Sequence, residues 1–407
     1  MTSIVVKNAR ILDVVGGTVL PEHDVMITDG LITEIADTAI RRNDAQVLDA
    51  RGKVLMPGLC DAHVHTVTST SSFVELETWS PFYAASRMMD VLKGMLFRGF
   101  TTVRDAGGAD WGIAAAIEQG YVVGPRLLFC GKALSQTGGH GDMRGPGQQY
   151  YQCLCCPGLG QICDGVTEVR RAVRDEVRKG ATHIKLMASG GIASPTDRIT
   201  STQFSTEELQ AAVEEAQAAN IYCMAHAYTA RAIERALECG VRSIEHGNLL
   251  SEDTAKLFVR KDAFMVPTLV VLFTMANEGE KHGLPAHHIA KIPEVYEHGT
   301  RALELCVRNG VKLVYGTDLL GTMHDRQSEE FLIRAEVQKP IDVIRSATVI
   351  AADLFQMSGQ IGVVALGARA DLLLVDGDPT ENLGLLQEQG KFLKLIMKDG
   401  KLFKNEL

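Results

Sequence analysis

The sequence contains no uninterrupted apolar run that approaches the roughly 18 residues needed to cross a bilayer. Its first residues, MTSIVVKNARILDVVGG, lack the cationic head, the long apolar stretch and the small-residue cleavage site of a secretory signal. Positive charge is not in excess either, because 41 Lys and Arg residues stand against 50 Asp and Glu residues, for a formal net charge of −9. We therefore expect a cytoplasmic protein that binds neither membranes nor nucleic acids.

Polar low-complexity tracts are also absent, and 46% of the 407 residues are apolar. Such a chain is expected to form two or three domains, or one large barrel with an appendage. Nine cysteines, an odd number spread along the chain, favour reduced thiols over a disulfide framework. Four of them form a cluster without the paired C-x2-C spacing of a structural zinc site, so we interpret it as an ordinary loop. These four are Cys153, Cys155, Cys156 and Cys163.

Short β-branched runs alternate with turn signals at both ends of the chain. They occupy residues 1–57 and 358–407, with turn dipeptides such as Asp376-Gly377 and Asp399-Gly400. Neither end has enough apolar residues to form a core alone. We therefore predict that the two ends join in one small β-sandwich domain.

Residues 58–357 show a different pattern, in which short apolar strands alternate with helical segments of 3.6-residue periodicity. The segments predicted as strands are 59–65, 101–107, 125–134, 183–191, 221–228, 243–248, 263–269 and 312–318. Eight such units predict an α/β fold, a (β/α)8 TIM barrel, with its site at the C-terminal ends of the strands. The alternative is an open doubly wound sheet, although no G-x-G-x-x-G motif follows an early strand. Two long segments, 135–165 and 270–294, are predicted lids.

Histidines are concentrated at or just beyond the C-terminal ends of the predicted strands. The five concerned are His63, His65, His140, His226 and His246. Because these ends face one mouth of a barrel, the side chains are expected to converge. The first two are one residue apart, which puts both rings on the same face of a strand, as two ligands of one metal require. Asp318 ends the last strand beside the first, and a carboxylate next to two imidazoles suits zinc, manganese or iron.

Lys185 lies in an apolar strand, where an unpaired ammonium group is costly. The side chain has to be neutralised, paired with a carboxylate or extended to the mouth of the barrel. Carboxylation by carbon dioxide would convert it into a carbamate, whose two oxygens can bridge two metal ions. The residue pattern leaves the paired ammonium and the carbamate open as alternatives.

The order of DAHVH, the fourth-strand Lys185, AHAY, EHGN and YGTD resembles the amidohydrolase superfamily. With LMPGLCDAHVH, HIKLMASGG and the ARADLLLVDGDP tail, nearly the whole chain is similar to its prolidase-like or imidazolonepropionase-like branch. The resemblance implies two divalent metal ions, expected to be Zn2+. By that resemblance His63, His65 and Asp318 would hold the more buried ion, and His226 and His246 the more exposed one. An N6-carboxylated Lys185 would bridge the two ions.

The resemblance also implies an amide hydrolase that opens a dipeptide or an N-acyl amino acid. It would release a C-terminal proline or a neutral or hydrophobic amino acid, as a dipeptidase or carboxypeptidase does. Asp318 would carry the proton from water to the leaving nitrogen, and Tyr228 and His140 are the candidates for stabilising the carbonyl oxygen.

Other activities remain as alternatives. The same chemistry would suit a cyclic amide or imidazolone, or a bulky aromatic amide such as a mycotoxin. A non-catalytic assembly protein is disfavoured because such relatives lose ligands, and this chain keeps them. A mononuclear deaminase would need a Glu near a strand-end His, but Glu245 is predicted to point away from the face of His246.

A substrate carboxylate calls for a cationic side chain. The candidates are Arg144, Arg198, Arg231 and Arg326, and His324 is expected to line the pocket. The acidic residues near enough to meet a basic substrate are Glu75, Glu77, Glu329 and Glu330. They form no cluster, which favours a neutral or apolar substrate side chain. We expect small-molecule substrates as partners and a homo-oligomeric state.

Overall fold

The computed structural model describes residues 3–149 and 157–407. Cys153, Cys155 and Cys156 of the predicted loop cluster lie outside the described residues, whereas Cys163 is buried. The six cysteines in the described ranges are free, which confirms the expected reduced thiols for that part of the chain. Within the same ranges, no helix is both long and apolar enough to cross a bilayer.

Strands from both ends of the chain form one eight-stranded sheet. They are β1 (Ser3–Asp13), β2 (Thr18–Thr28), β3 (Leu31–Ala36), β4 (Gln46–Asp49), β5 (Val54–Pro57), β16 (Leu372–Val375), β17 (Leu393–Lys398) and β18 (Lys401–Asn405). The order is β18-β17-β16-β5-β1-β2-β3, with β4 paired to β1. The antiparallel pairing of β16 with β5 joins the two chain ends. The sandwich arrangement and the domain boundaries at 57/58 and 357/358 stay predictions.

Strand β16 shows how this sheet is attached to the rest of the protein. All four of its residues are buried. Leu372 and Leu374 pack in the core of the terminal sheet, whereas Leu373 and Val375 belong to the large core that includes Leu96. Because successive side chains of a strand point to opposite faces, one strand contributes to both cores.

Parallel strands form the central part of the chain. The eight that follow the predicted repeats are β6 (Leu59–Val64), β7 (Phe100–Asp105), β8 (Arg126–Phe129), β11 (His183–Met187), β12 (Tyr222–Thr229), β13 (Ser243–Leu249), β14 (Phe264–Val266) and β15 (Lys312–Leu313). Backbone hydrogen bonds join the two parallel sheets on both sides. The Ala62 amide donates to the Tyr315 carbonyl at 2.8 Å, and the Thr182 amide donates to the Phe129 carbonyl at 2.9 Å. The strands therefore form a TIM-barrel-like ring, not an open doubly wound sheet.

The third predicted strand is divided in two. After β8 the chain bends at Gly131 and continues as β9 (Ala133–Ser135), which pairs with β10 (Gly160–Ile162) and β11. Gly131 has a φ of +72°, and a Cβ there would lie 1.9 Å from an oxygen of the Glu176 carboxylate. The bend therefore requires glycine.

Helices follow most of the strands, as the periodicity predicts. They are α1 (Phe73–Thr78), α2 (Pro81–Phe97), α3 (Trp111–Glu118), α4 (Gly165–Arg178), α5 (Thr206–Ala218), α6 (Ala230–Glu238), α7 (Glu252–Arg260), α8 (Leu269–Glu278), α9 (Ala286–Ile289), α10 (Ile292–Asn309), α11 (Glu330–Ala335), α12 (Pro340–Ser346) and α13 (Val349–Leu354), with 3-10 turns at Gly321–Glu329, Leu383–Leu386 and Glu388–Gly390. Ser205 begins α5 with a capping box to Glu208. The segment 270–294 is not the long loop that we expected, because α8 and α9 occupy much of it. Its apolar run LVVLF lacks the 3.6-residue alternation that reveals a helix.

Glu330 is fully buried at the start of α11. Its Oε2 accepts a hydrogen bond from the Val270 amide at 2.7 Å, and its Oε1 has no partner among the described residues. Burial raises the pKa of Glu330 to about 8, although the nearby Arg334 lowers it. The folded protein therefore favours the neutral carboxyl group.

We expect this group to make stability depend on pH. Because its pKa is raised on folding, its contribution is complete below the ordinary value of 4.5 and is lost as pH rises through about 8. Glu330→Gln should flatten this decline in the free energy of unfolding, measured by urea denaturation across that range. Glu329→Gln, at the more exposed neighbour, serves as control. Parallel pH profiles for the wild type and Glu330→Gln would contradict the assignment.

Candidate metal centre and active site

The five predicted strand-end histidines line one cavity of about 60 Å³. Their rings follow one another in the order His140, His226, His246, His63 and His65, with centroid separations of 4.2, 4.7, 5.0 and 5.4 Å. Lys185 and Asp318 line the same cavity. The predicted convergence is therefore observed, and the roles of these residues as ligands stay a prediction.

Asp318 lies between the histidines. Its Oδ1 is 3.4 Å from His63 Nε2 and 3.3 Å from His65 Nε2, and its Oδ2 is 3.9 Å from His246 Nδ1. The potential ligand atoms of His63, His246 and Asp318 all lie within 4.8 Å of one another. Burial opposes ionisation of Asp318, but the surrounding histidines hold the pKa of its carboxyl well below the ordinary value. Imidazole nitrogens and a carboxylate at this spacing fit a divalent cation.

Glu245 and His246 both face the interior of the barrel, although they are consecutive. His246 has a φ of +74°, which breaks the alternation of side chains along β13. Glu245 accepts a hydrogen bond from His63 Nδ1 at 2.7 Å and another from Arg104 at 2.9 Å. The prediction that Glu245 points to the opposite face is therefore wrong. It is fully buried behind His63 and is not among the residues lining the cavity.

Oxygen acceptors outside the cavity determine which nitrogen of three rings carries the proton. His63 Nδ1 donates to Glu245, and His65 Nδ1 donates to the Gly107 carbonyl at 3.0 Å. His226 Nε2 donates to the Gly190 carbonyl at 3.0 Å. When such a ring is neutral, its opposite nitrogen has the lone pair that a metal ligand requires.

His246 is held by the Thr268 hydroxyl, 2.7 Å from its Nδ1. Burial lowers the pKa of both His226 and His246 well below the ordinary value. Both rings are thus neutral, the protonation state in which histidine binds a metal.

Lys185 lies within this group and is only 1% exposed. Burial lowers the pKa of its ammonium group, although the negative charges of Glu245 and Asp318 act in the opposite direction. The neutral amine is the form that reacts with carbon dioxide. The surroundings of Lys185 are therefore compatible with a carbamate.

Tyr228 and His140 also line the cavity, and their roles towards a substrate stay predictions. The Tyr228 ring lies 4.8 Å from the His226 ring and 5.3 Å from the His246 ring. Burial raises the pKa of the Tyr228 hydroxyl, so it keeps its proton and can donate a hydrogen bond. Burial, with Lys185 and Lys291 nearby, lowers the pKa of His140 to about 3, so its ring is neutral.

The arginines predicted to bind a carboxylate do not line the cavity formed by the described residues. Arg144 contacts the Asp142 carboxylate at 2.7 and 2.6 Å. Arg198 and Arg231 are exposed. Arg326 pairs with Glu278 and Glu329. Nearness to a strand end in the sequence does not determine the direction of a long side chain.

His324 was also predicted to line the site, but it borders a different cavity of about 350 Å³. Its Nε2 donates to the Thr68 carbonyl at 3.0 Å, and His324 is not among the residues that line the histidine cavity. The acidic candidates Glu75, Glu77 and Glu329 are not among the lining residues either.

The remaining wall of the cavity is apolar. It consists of Phe73, Met143, Leu159, Met187, Ile192, Ala193, Val271, Leu272, Met275 and Leu320, with Gly141. Met143 and Leu159 come from the segment 135–165, and Val271, Leu272 and Met275 come from α8. The two segments predicted as lids therefore contribute to the cavity, and their movement stays a prediction.

Sequence comparison matches the amidohydrolase family over residues 54–403. Ochratoxinase of Aspergillus niger is 32% identical over 375 residues, which cover 87% of this chain and 76% of that protein. A crystal structure of a prolidase complexed with N-methylphosphonate-L-proline is 48% identical, with a TM-score of 0.98, covering 99% of this chain and 100% of that one. A Xaa-Pro dipeptidase with bound methionine is 26% identical, with a TM-score of 0.88, covering 99% and 100%.

These relatives agree with the prolidase-like branch that the sequence motifs indicate. The family match spans the barrel and, in the terminal sheet, the strands β5, β16 and β17. The chain belongs to the amidohydrolase family.

Proposed function

We propose that this protein is a binuclear-metal amide hydrolase that cleaves a dipeptide or an N-acyl amino acid. Its product would be a C-terminal proline or a neutral or hydrophobic amino acid. The observation that carries the proposal is the group of five histidines, Lys185 and Asp318 around one cavity. The similarity to a prolidase and a Xaa-Pro dipeptidase supports it.

In this proposal His63, His65 and Asp318 hold one Zn2+ ion, and His226 and His246 hold the other. An N6-carboxylated Lys185 would supply carboxylate oxygens as ligands to both. Two divalent ions bound there would lower the pKa of water towards neutrality and polarise the amide carbonyl.

The protein's own groups then move protons and orient the substrate. Asp318 is ionised, so it can accept a proton from water and return it to the leaving nitrogen. Tyr228 keeps its proton and can donate a hydrogen bond to the carbonyl oxygen as negative charge develops. The apolar wall favours a substrate side chain without charge. We also propose that the protein is cytoplasmic and forms a homo-oligomer.

A bulky aromatic amide, such as a mycotoxin, is the second candidate substrate. The identity of 32% to ochratoxinase favours it. However, the cavity of about 60 Å³ is far smaller than the roughly 300–1,000 Å³ of typical ligand pockets. The small cavity therefore favours a dipeptide, the smaller of the two candidates.

A substrate screen with the zinc-loaded protein tests the proposed activity. The panel would contain Xaa-Pro dipeptides, dipeptides with leucine or phenylalanine at the C-terminus, N-acyl amino acids, cyclic amides and bulky aromatic amides. We expect the highest kcat/KM for a dipeptide or N-acyl amino acid with an uncharged C-terminal side chain. A preference for cyclic amides would contradict the substrate class, and full metal content without hydrolysis of any compound would contradict the activity.

Lys185→Ala is expected to lose bound metal and activity, because it removes the proposed bridge between the ions. Metal content per chain, measured by plasma mass spectrometry, should fall from about two in the wild type. Lys256→Ala, on the exposed surface of α7, provides a matched control that should retain both ions. An active Lys185→Ala protein with unchanged metal content would count against the bridge.

Glu245→Gln should weaken metal binding, although Glu245 does not line the cavity. The change removes the negative charge that accepts the His63 proton, and loss of such a partner typically lowers metal affinity about 10–100-fold. It also leaves Arg104 buried without its ionic partner, so Tm should fall. Metal competition titrations and thermal unfolding would measure the two effects, with Glu238→Gln as an exposed control. Metal affinity equal to that of the control would refute the proposed link.

A further inference from the structure

Three backbone carbonyls of the loop after β11 converge on the ammonium group of Lys291. The acceptors, at 2.8, 2.9 and 3.0 Å from its Nζ, are the carbonyl oxygens of Gly191, Ser194 and Asp197. An ammonium group has three N–H donors and no acceptor, so each carbonyl can take one proton. The Asp197 carboxylate, whose Oδ1 is 3.3 Å from Nζ, supplies the opposite charge. Its side chain is only 3% exposed, so water screens this ion pair weakly.

The loop itself is closed at its base. Ser189 and Thr202 form an antiparallel bridge, and the Gly190 amide donates to the Ser201 carbonyl at 2.9 Å. Lys291 connects the tip of the loop, residues 191–197, to a different part of the fold, because it belongs to the segment 270–294.

The two residues between the first two bound carbonyls line the cavity that holds the five histidines. They are Ile192 and Ala193, which form part of its apolar wall. The carbonyls of Gly191 and Ser194, one on each side of this pair, bind the same ammonium group. The backbone that carries the two apolar side chains is therefore held at both ends by Lys291.

Lys291 is in turn attached to a well-packed part of the protein. Its backbone amide donates to the His288 carbonyl at 3.0 Å. The next residue, Ile292, begins α10 and is buried in the large core. Helix α10 lies so close to α8 that a Cβ at Gly299 would be 2.9 Å from Cδ2 of Leu269. The ammonium group therefore extends from a fixed backbone.

We propose that Lys291 is a positioning residue that determines substrate selectivity through Ile192 and Ala193. Its ammonium group holds the loop after β11 so that these two side chains complete the apolar wall around an uncharged substrate side chain. This inference rests on the proposed function and refines it, because it assigns part of the selectivity to a lysine that does not line the cavity.

The selectivity of Lys291→Met tests the inference. Methionine has a similar length but none of the ammonium donors. Two series of dipeptides would carry leucine or alanine, one at the N-terminal and one at the C-terminal position. In at least one series, the ratio of kcat/KM for leucine to that for alanine should fall about tenfold, the lower end of what one apolar group contributes in a formed pocket.

This fall should appear mainly in KM, with unchanged metal content, because the apolar wall binds the substrate and takes no part in the reaction. Lys281→Met, in the same segment but with a side chain that is 74% exposed, is the matched control and should behave as the wild type. An unchanged ratio in both series would overturn the inference.

A double-mutant cycle distinguishes positioning from a general structural role. Ile192→Ala should lower the same ratio as Lys291→Met. If Lys291 acts by placing Ile192, the double variant should show no further fall beyond that of Ile192→Ala. Additive falls would mean that the two residues act independently, which contradicts the proposal.

Hydrogen exchange measures the contact between Lys291 and the loop without a substrate. Amides of residues 189–203, followed by mass spectrometry, should exchange about tenfold faster in Lys291→Met than in Lys281→Met. Equal exchange in the two variants would refute the proposed anchoring. If Lys291→Met unfolds, Lys291→Gln decides, because its amide keeps two donors without the charge. A smaller fall in the ratio is then expected, and the wild-type ratio would overturn the inference.

The outcomes separate this inference from the proposed function. Hydrolysis with unchanged selectivity in Lys291→Met would overturn the inference but leave the hydrolase intact. Absence of hydrolysis in the wild type would refute the proposed function, whereas the exchange measurement would still decide whether Lys291 holds the loop.

Discussion

The site depends on the burial of many titratable groups around a single carboxylate. Asp318 lies within 4 Å of nitrogens from His63, His65 and His246, and Lys185 lines the same small cavity. Such groups are costly to bury unless each has a partner. Here carbonyl, carboxylate and hydroxyl oxygens outside the cavity engage one nitrogen of each ring. The remaining nitrogens of His63 and His65 lie 3.4 and 3.3 Å from Asp318 Oδ1, a grouping that suits a cation.

The interior of the barrel supplies the partners for this arrangement. Arg104 on β7 donates to the Ala62 carbonyl on β6, and to Ser243 and Glu245 on β13, at 2.7, 3.0 and 2.9 Å. Glu245 then accepts from His63. One fully buried ion pair thus connects three strands and orients a candidate ligand. A substitution of Arg104 or Glu245 would therefore alter the support of the His63 ring, although neither residue lines the cavity.

The cavity joins two chemically different walls. Strand ends provide the polar wall, in which hydrogen bonds to the backbone and to buried side chains hold the histidine rings. The segment 135–149, residues 157–165 and α8 contribute most of the apolar wall, together with Phe73 and Ile192. The loop after β11 connects the two walls, because its Ser194 hydroxyl lies 2.8 Å from His140 Nδ1 while its Ile192 lines the cavity. In the proposed function, the polar wall would carry the chemistry and the apolar wall the selection of the substrate.

The sequence by itself predicted most of the helices and strands. It also predicted that the site lies at the C-terminal ends of the barrel strands. Strand and helix periods and the Ser205 cap are local properties, and they predicted the eight parallel strands and the convergence of His63, His226 and Asp318. The motifs DAHVH, AHAY, EHGN and YGTD predicted the family, because they occur along the chain in the order of the strands that carry them. The apolar run of α8 was missed, since it lacks a helical alternation.

Only the tertiary structure decided where individual side chains point. The left-handed backbone of His246 turns Glu245 inward, against the simple alternation of a strand. Arg144 and His324 follow contacts with Asp142 and the Thr68 carbonyl, and neither reaches the cavity. The Ser194 hydroxyl, which contacts the Asp197 carboxylate, lies 2.8 Å from His140 Nδ1 and so joins two loops that are far apart in the sequence. A residue's position along a strand is a local property, whereas the direction of its side chain depends on partners that only the folded chain brings near.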